Sequence, residues 1–152
     1  MKIAIGADHG GFKLKEKLKK YLKTKGHSVR DFGTYSLASC DYPKIGFEVA
    51  LAIAKKKAKM GILVCKTGIG QAIVANKIPG VRAGVCSDVR CARYSRKHND
   101  TNVLVLGSLF IKEALAKKIL SVWLATKFEA GRHKRRLNQI KEIEKKFLKK
   151  VK

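Results

Sequence analysis

Short, uninterrupted apolar runs alternate with amphipathic stretches along nearly the whole chain, and few folds accommodate that alternation. Residues 2–6 (KIAIG), 28–32, 61–65 (GILVC), 81–86 and 103–106 (VLVL) read as strands. Between them, residues 12–25 carry Leu14, Leu18, Tyr21 and Leu22 on one helical stripe, and the next helix turns Ile45, Val49 and Ile53 inward. Helices are also expected over 70–77 and 88–97, and around Ile111, Leu115, Ile119, Val122 and Trp123. A strand that is apolar at every position has no solvent face, so both sides of the sheet must be covered. Such strands joined by helices imply βαβ units. The expectation is an α/β fold: a three-layer α/β/α sandwich on a five-stranded, parallel, Rossmann-like sheet, with residues 1–152 as a single domain.

The last segment, 132–152, is helical in pattern, with an apolar seam of Leu137, Ile140, Ile143, Phe147 and Val151. A terminal helix with a sustained seam can pack on another subunit or dock on its own sheet. The pattern alone leaves both open.

In a parallel sheet, ligands bind beyond the carboxyl ends of the strands. Those ends carry Ala7-Asp8-His9, Cys65-Lys66-Thr67-Gly68, Cys86-Ser87-Asp88 and Gly107-Ser108. The loop Cys65-Lys66-Thr67-Gly68-Ile69-Gly70 runs from a strand into a helix, where glycines let backbone N–H groups face an anion. It misses the dinucleotide fingerprint, because the third glycine position falls on Ile73. A plain tight turn remains an alternative. Cys65 faces these amides, which favours a thiolate able to act as nucleophile or base, although most cysteines in apolar strands are inert core. The polar run from His98 to Asn102 suits either substrate binding or an Asx-rich turn. Arg132 and Arg136 stand one helical turn apart and could grip a phosphate or simply form a solvated basic face.

The residues Ala7-Asp8-His9-Gly10-Gly11, Asp41-Tyr42-Pro43, Cys65-x-Thr67-Gly68-x-Gly70, Ala75-Asn76-Lys77, His98-Asn99-Asp100-Thr101-Asn102-Val103-Leu104 and Gly131-Arg132-His133 together resemble type-B ribose-5-phosphate isomerases. These are grouped with galactose-6-phosphate isomerase subunits in one sugar-phosphate isomerase family. Each motif alone is weak, but the set occurs in order from about residue 2 to 145 and is specific. The resemblance implies an aldose–ketose isomerase of a small sugar phosphate, working through a cis-enediolate with no metal or nucleotide cofactor. It implies Cys65 as the proton-transfer base, His98 in ring opening and Thr67 in proton movement at the substrate oxygens. Asp8, Tyr42 and Asn99 would hold hydroxyls, the amides around Lys66, Gly68, Ile69 and Gly70 the oxyanion, and His9, Arg132 and Arg136 the phosphate. It further implies a homodimer or dimer of dimers with sites between subunits, which favours a partner for the last helix. A hexose 6-phosphate isomerase of the same family (allose- or galactose-type) is the alternative substrate reading.

Two positions depart from the family pattern. Lys66 stands where the family usually has glycine, and Leu109 follows Gly107-Ser108 where a phosphate-binding arginine is common. If residue 66 needed a positive φ, lysine there would cost about 1–2 kcal/mol. Lys66 could instead supply the positive charge that Leu109 lacks.

The net charge of +24 suggests a polyanion partner. However, Lys13, Lys15, Lys17, Lys19, Lys20, Lys23, Lys25, Lys55, Lys56, Lys57 and Lys59 are expected on outer helix faces, where they would be solvated. The motifs therefore point to a small anion rather than nucleic acid, with a basic binding protein on this fold as the remaining alternative. The N-terminus lacks a secretory pattern, and no stretch reaches the ~18–20 apolar residues of a membrane span. Cys40, Cys65, Cys86 and Cys91 include no CxxC pair, which fits a reducing, cytoplasmic setting.

Overall fold

The computed structural model describes residues 1–148; Val151, the last position of the expected seam, lies outside the described residues. The elements follow in the order β1 Lys2–Ala7, α1 Phe12–Thr24, β2 Ser28–Asp31, α2 Tyr42–Ala54, β3 Met60–Cys65, α3 Ile69–Ala75, β4 Ala83–Val85, α4 Val89–Asn99, β5 Val103–Gly107, α5 Glu113–Ala125 and α6 Gly131–Leu148. All strand pairs are parallel, in the order β2-β1-β3-β5-β4. One face of the sheet packs Ile3, Ile5, Ile62, Val64, Leu104 and Leu106 against α1, α4 and α5. The other packs Ala4, Leu63, Val103 and Val105 against α2 and α3. Successive residues of β1, β3 and β5 thus enter different cores, which is why, beyond the exposed Lys2, these strands are apolar throughout. No helix among the described residues is long and apolar enough to cross a membrane.

Strand β4 is shorter than the expected 81–86. It lies at the edge of the sheet, and the Asn76 side chain takes the place of a further strand. Its Oδ1 accepts the Ala83 N–H at 2.8 Å and its Nδ2 donates to the Ala83 carbonyl at 2.9 Å. One residue earlier, the Arg82 N–H donates to Asn102 Oδ1 at 2.8 Å.

Lys15 is not a solvated surface lysine: it is 0% exposed. It falls on the inward stripe with Leu18 and Leu22, and its ammonium donates to both Asp31 oxygens, at 2.7 and 2.8 Å, and to the Thr34 carbonyl at 2.7 Å. A buried charge costs several kcal/mol unless paired in this way. Burial alone would raise the Asp31 pKa, but hydrogen bonds from Lys15, Lys19 and the Gly33 N–H hold it below the usual carboxylate range.

The seam of α6 divides. Leu137 is buried on its own chain, whereas Ile140, Ile143 and Phe147 are exposed.

Candidate active site

Strands β2 and β3 lie on opposite sides of β1, so the chain reverses its direction of winding between β1 and β3. Such a reversal opens a crevice at the carboxyl ends of the two strands. Asp8 follows β1 there and Cys65 ends β3. Asp8 is buried, and its Oδ1 accepts the Gly11 N–H at 2.9 Å, which fixes the first turn of the loop. His9 is exposed and accepts the Cys40 N–H at Nδ1, 3.2 Å away, leaving Nε2 as the ring nitrogen that carries a proton in the neutral form.

Cys65 is 5% exposed, and its Sγ accepts the Gly68 N–H at 3.0 Å. The donated N–H fixes the sulfur at the mouth of the loop. This contact requires the loop to fold back on itself, and Gly68 supplies the bend with φ 87°. The Ile69 N–H donates to Thr67 Oγ1 at 3.3 Å. As first-turn positions of α3, Ile69, Gly70 and Gln71 have N–H groups without an intrahelical acceptor. Tyr42, at the start of α2, lays its ring on Gly70; a Cβ there would meet the ring Cζ at 2.6 Å, so a side chain at this position would push the tyrosine aside. Ser108, which the sequence reading placed at a strand end without a role, ties the crevice together by donating to the Gly10 carbonyl at 2.7 Å.

Both departures from the family pattern lie in this crevice and touch each other. The Leu109 N–H donates to the Lys66 carbonyl at 3.0 Å, and a Cβ on Gly10 would stand 3.3 Å from Lys66 Cβ. Lys66 does not adopt a positive φ, so the feared backbone penalty is not incurred. Its side chain is exposed and, among the described residues, has no ion-pair partner.

The remaining expected site residues gather at the opposite end of the sheet. Helix α4 carries the chain back from the carboxyl end of β4 to the amino end of β5, and His98 and Asn99 occupy its last turn. Residues Cys65 and Gly107 are register partners at the far end of β3 and β5. The five residues of β5 therefore separate the two groups by roughly 15 Å at the ~3.3 Å rise of a parallel strand. Arg132 and Arg136 belong to the amino-end group, because the Glu129 N–H donates to the Lys97 carbonyl and the His133 ring stacks on His98 at 4.2 Å. Both arginines are exposed and, among the described residues, unpaired.

The polar run of 98–102 has a mixed role. Asp100 pairs with Arg96 and Arg82, at 2.6 and 2.9 Å. Thr101 Oγ1 accepts from the buried Trp123 Nε1 at 2.8 Å, and Asn102 braces β4. Only His98 and Asn99 are left for a ligand. Glu129 was not singled out from sequence, and His133 was named only within the Gly131-Arg132-His133 motif; the signal available was their i, i+4 spacing across the start of α6.

The chain matches the family described as Ribose/Galactose Isomerase over residues 3–140. It is 48% identical over 143 residues to Ribose-5-phosphate isomerase B of Escherichia coli (strain K12), covering 94% of this chain and 96% of that protein. Among solved structures, Clostridium thermocellum Ribose-5-Phosphate Isomerase B superposes with a TM-score of 0.96 at 48% identity, over 97% of this chain and 99% of that one. Ribose-5-phosphate Isomerase B from Mycoplasma genitalium with bound Ribulose-5-phosphate superposes with a TM-score of 0.91 at 40% identity, over 95% and 96% of the two chains.

Proposed function

Because this chain belongs to the Ribose/Galactose Isomerase family, we propose that two of its copies together interconvert D-ribose 5-phosphate and D-ribulose 5-phosphate through a cis-enediolate. The enzyme is an isomerase, and the Escherichia coli and Mycoplasma genitalium proteins it resembles are ribose-5-phosphate isomerases of type B. The observation that carries the mechanism is the Cys65 sulfur, at the crevice between β1 and β3, accepting the Gly68 N–H beside the first turn of α3.

The reaction begins by opening the furanose. His98 of one copy gives a proton to the ring oxygen as the C1–O4 bond breaks, and the C1 hydroxyl gives its proton to water, leaving the aldehyde. The Cys65 thiolate of the other copy then removes the C2 proton. The C–H electron pair becomes the C1–C2 double bond, and the carbonyl electrons move onto O1. Loop amides hold this charge, with Gly70 first among them because the Gly68 and Ile69 N–H groups are engaged by Cys65 Sγ and Thr67 Oγ1; one such donor is typically worth about 3–4 kcal/mol. Thr67 passes the O2 proton toward O1, and Cys65 returns its proton to C1, leaving the ketone at C2. Asp8, Tyr42 and Asn99 hold hydroxyls, and His9, Lys66, Arg132 and Arg136 bind the phosphate.

Both groups of residues serve one substrate only when the carboxyl end of one sheet faces the amino end of another. A symmetric pair of copies makes two such sites. The exposed apolar residues Ile140, Ile143 and Phe147 on α6 would be covered in that arrangement, as a homodimer or a dimer of dimers.

Two results test this reading. The purified chain is expected to turn over ribose 5-phosphate with a higher kcat/KM than allose 6-phosphate or galactose 6-phosphate; the reverse order would move the assignment to a hexose phosphate. Lys66→Ala is expected to raise the KM for ribose 5-phosphate about tenfold or more, with a smaller change in kcat, since a charge-assisted contact contributes about 1.5–3 kcal/mol. An unchanged KM would place Lys66 outside the phosphate site.

A further inference from the structure

Glu129 is the hub of the amino-end group. Its N–H donates to the Lys97 carbonyl at 3.1 Å, and its Oε1 meets Lys97 Nζ at 2.7 Å. With the carboxylate anchored in this way, Oε2 stands 3.7 Å from His98 Nε2 and 3.9 Å from His133 Nε2. These separations exceed hydrogen-bond range, so Oε2 acts on the two rings through its charge. The imidazoles are stacked, with centroids 4.2 Å apart and planes 9° from parallel. Tyr94 adds a tilted contact to His98 at 4.9 Å.

The three donor groups lie within 4.8 Å of one another, a spacing that also suits a metal ion. The ring geometry argues against it. A metal must lie near the plane of each ligating imidazole, and stacked parallel rings share no such point. Lys97, Arg132 and Arg136 also surround the group with positive charge.

The two rings have different surroundings. His133 is 7% exposed, and burial, followed by the charges of His98, Arg132 and Arg136, holds its pKa below the usual histidine value against the opposing pull of Glu129. His98 is more open to solvent. A neutral His133 can therefore serve as a flat support that adds no repulsion when His98 takes a proton. The Lys97 hydrogen bond keeps Glu129 below the usual carboxylate range and hence charged.

We propose that Glu129 is a positioning residue for His98: its carboxylate, held by Lys97, with the His133 ring as support, keeps the His98 imidazole in the orientation that delivers a proton to the sugar ring oxygen. The inference rests on the assignment of ring opening to His98. It also predicts a selective effect. Ribose 5-phosphate must open before isomerisation, whereas ribulose 5-phosphate is acyclic because its O5 is esterified. Glu129 should therefore matter for turnover of the aldose and not for enediolate formation from the ketose.

The test compares wild type, Glu129→Gln and His98→Ala in two assays: turnover of ribose 5-phosphate, and solvent deuterium exchange into C1 of ribulose 5-phosphate. Glu129→Gln is expected to lower kcat for ribose 5-phosphate about tenfold, a fraction of the 10²–10⁴ that a general acid contributes, and to leave the exchange within about twofold of wild type. The loss should fall on kcat more than on KM, because Glu129 orients His98 and does not grip the phosphate. Wild-type turnover of ribose 5-phosphate in Glu129→Gln would overturn the proposal. Equal loss in both assays would also overturn it, by showing a general structural role. If His98→Ala turns over ribose 5-phosphate normally, the assignment of ring opening itself fails, whatever Glu129 does.

Discussion

Cys65→Ala is expected to lower kcat/KM for ribose 5-phosphate about a thousandfold or more, and to stop solvent deuterium from entering C1 of ribulose 5-phosphate. A general base contributes about 10²–10⁴ to rate, and no other group in the crevice is placed to replace it. The carboxylate of Asp8 is committed through Oδ1 to the Gly11 N–H, and His9 receives the Cys40 N–H at Nδ1. The loss should appear in kcat rather than KM, because the thiolate acts on the reacting carbon and does not grip the phosphate. Folding should be nearly unaffected, since replacing a thiol by hydrogen at one buried position leaves only a small void. A variant that keeps wild-type exchange would remove Cys65 as the base while leaving the fold and the phosphate site untouched.

The parallel sheet was legible because β3 and β5 are apolar at every position and β1 at all but its first, and only a sheet covered on both faces explains that. The crevice was legible for a related reason: residues that follow such strands must stand at their carboxyl ends, and Asp8, Cys65 and Ser108 do. Other features were hidden by residue type. Lys15 looks like a surface lysine, yet its spacing to Leu18 and Leu22 places it on the inward stripe, where Asp31 receives it. The length of β4 was overestimated because Asn76, distant in register, completes its edge. Motif order also concealed the division of the site. His98 ends a helix and precedes a strand, so βαβ geometry alone puts it at the amino end of the sheet, opposite Cys65. The motifs show that both residues are present, but not that one chain holds them apart. Lys66 and Leu109 are far apart in sequence, and only the hydrogen bond between their backbones shows that the two departures share one spot.

The separation of Cys65 from His98 leads to the second large effect. Cys65→Ala removes the carboxyl-end half of a site, and His98→Ala with Arg132→Ala removes the amino-end half. Each variant alone should be almost inactive on ribose 5-phosphate. In a pair made of one copy of each, the first site combines both defective halves, while the second combines the intact Cys65 of one copy with the intact His98 and Arg132 of the other. Co-expressing the two variants with different affinity tags and purifying on both tags isolates this mixed pair. The expected activity is roughly half that of wild type, because one of the two sites in a symmetric pair is whole. Mixed pairs no more active than the sum of the two parent variants would contradict a site built from opposite ends of two sheets.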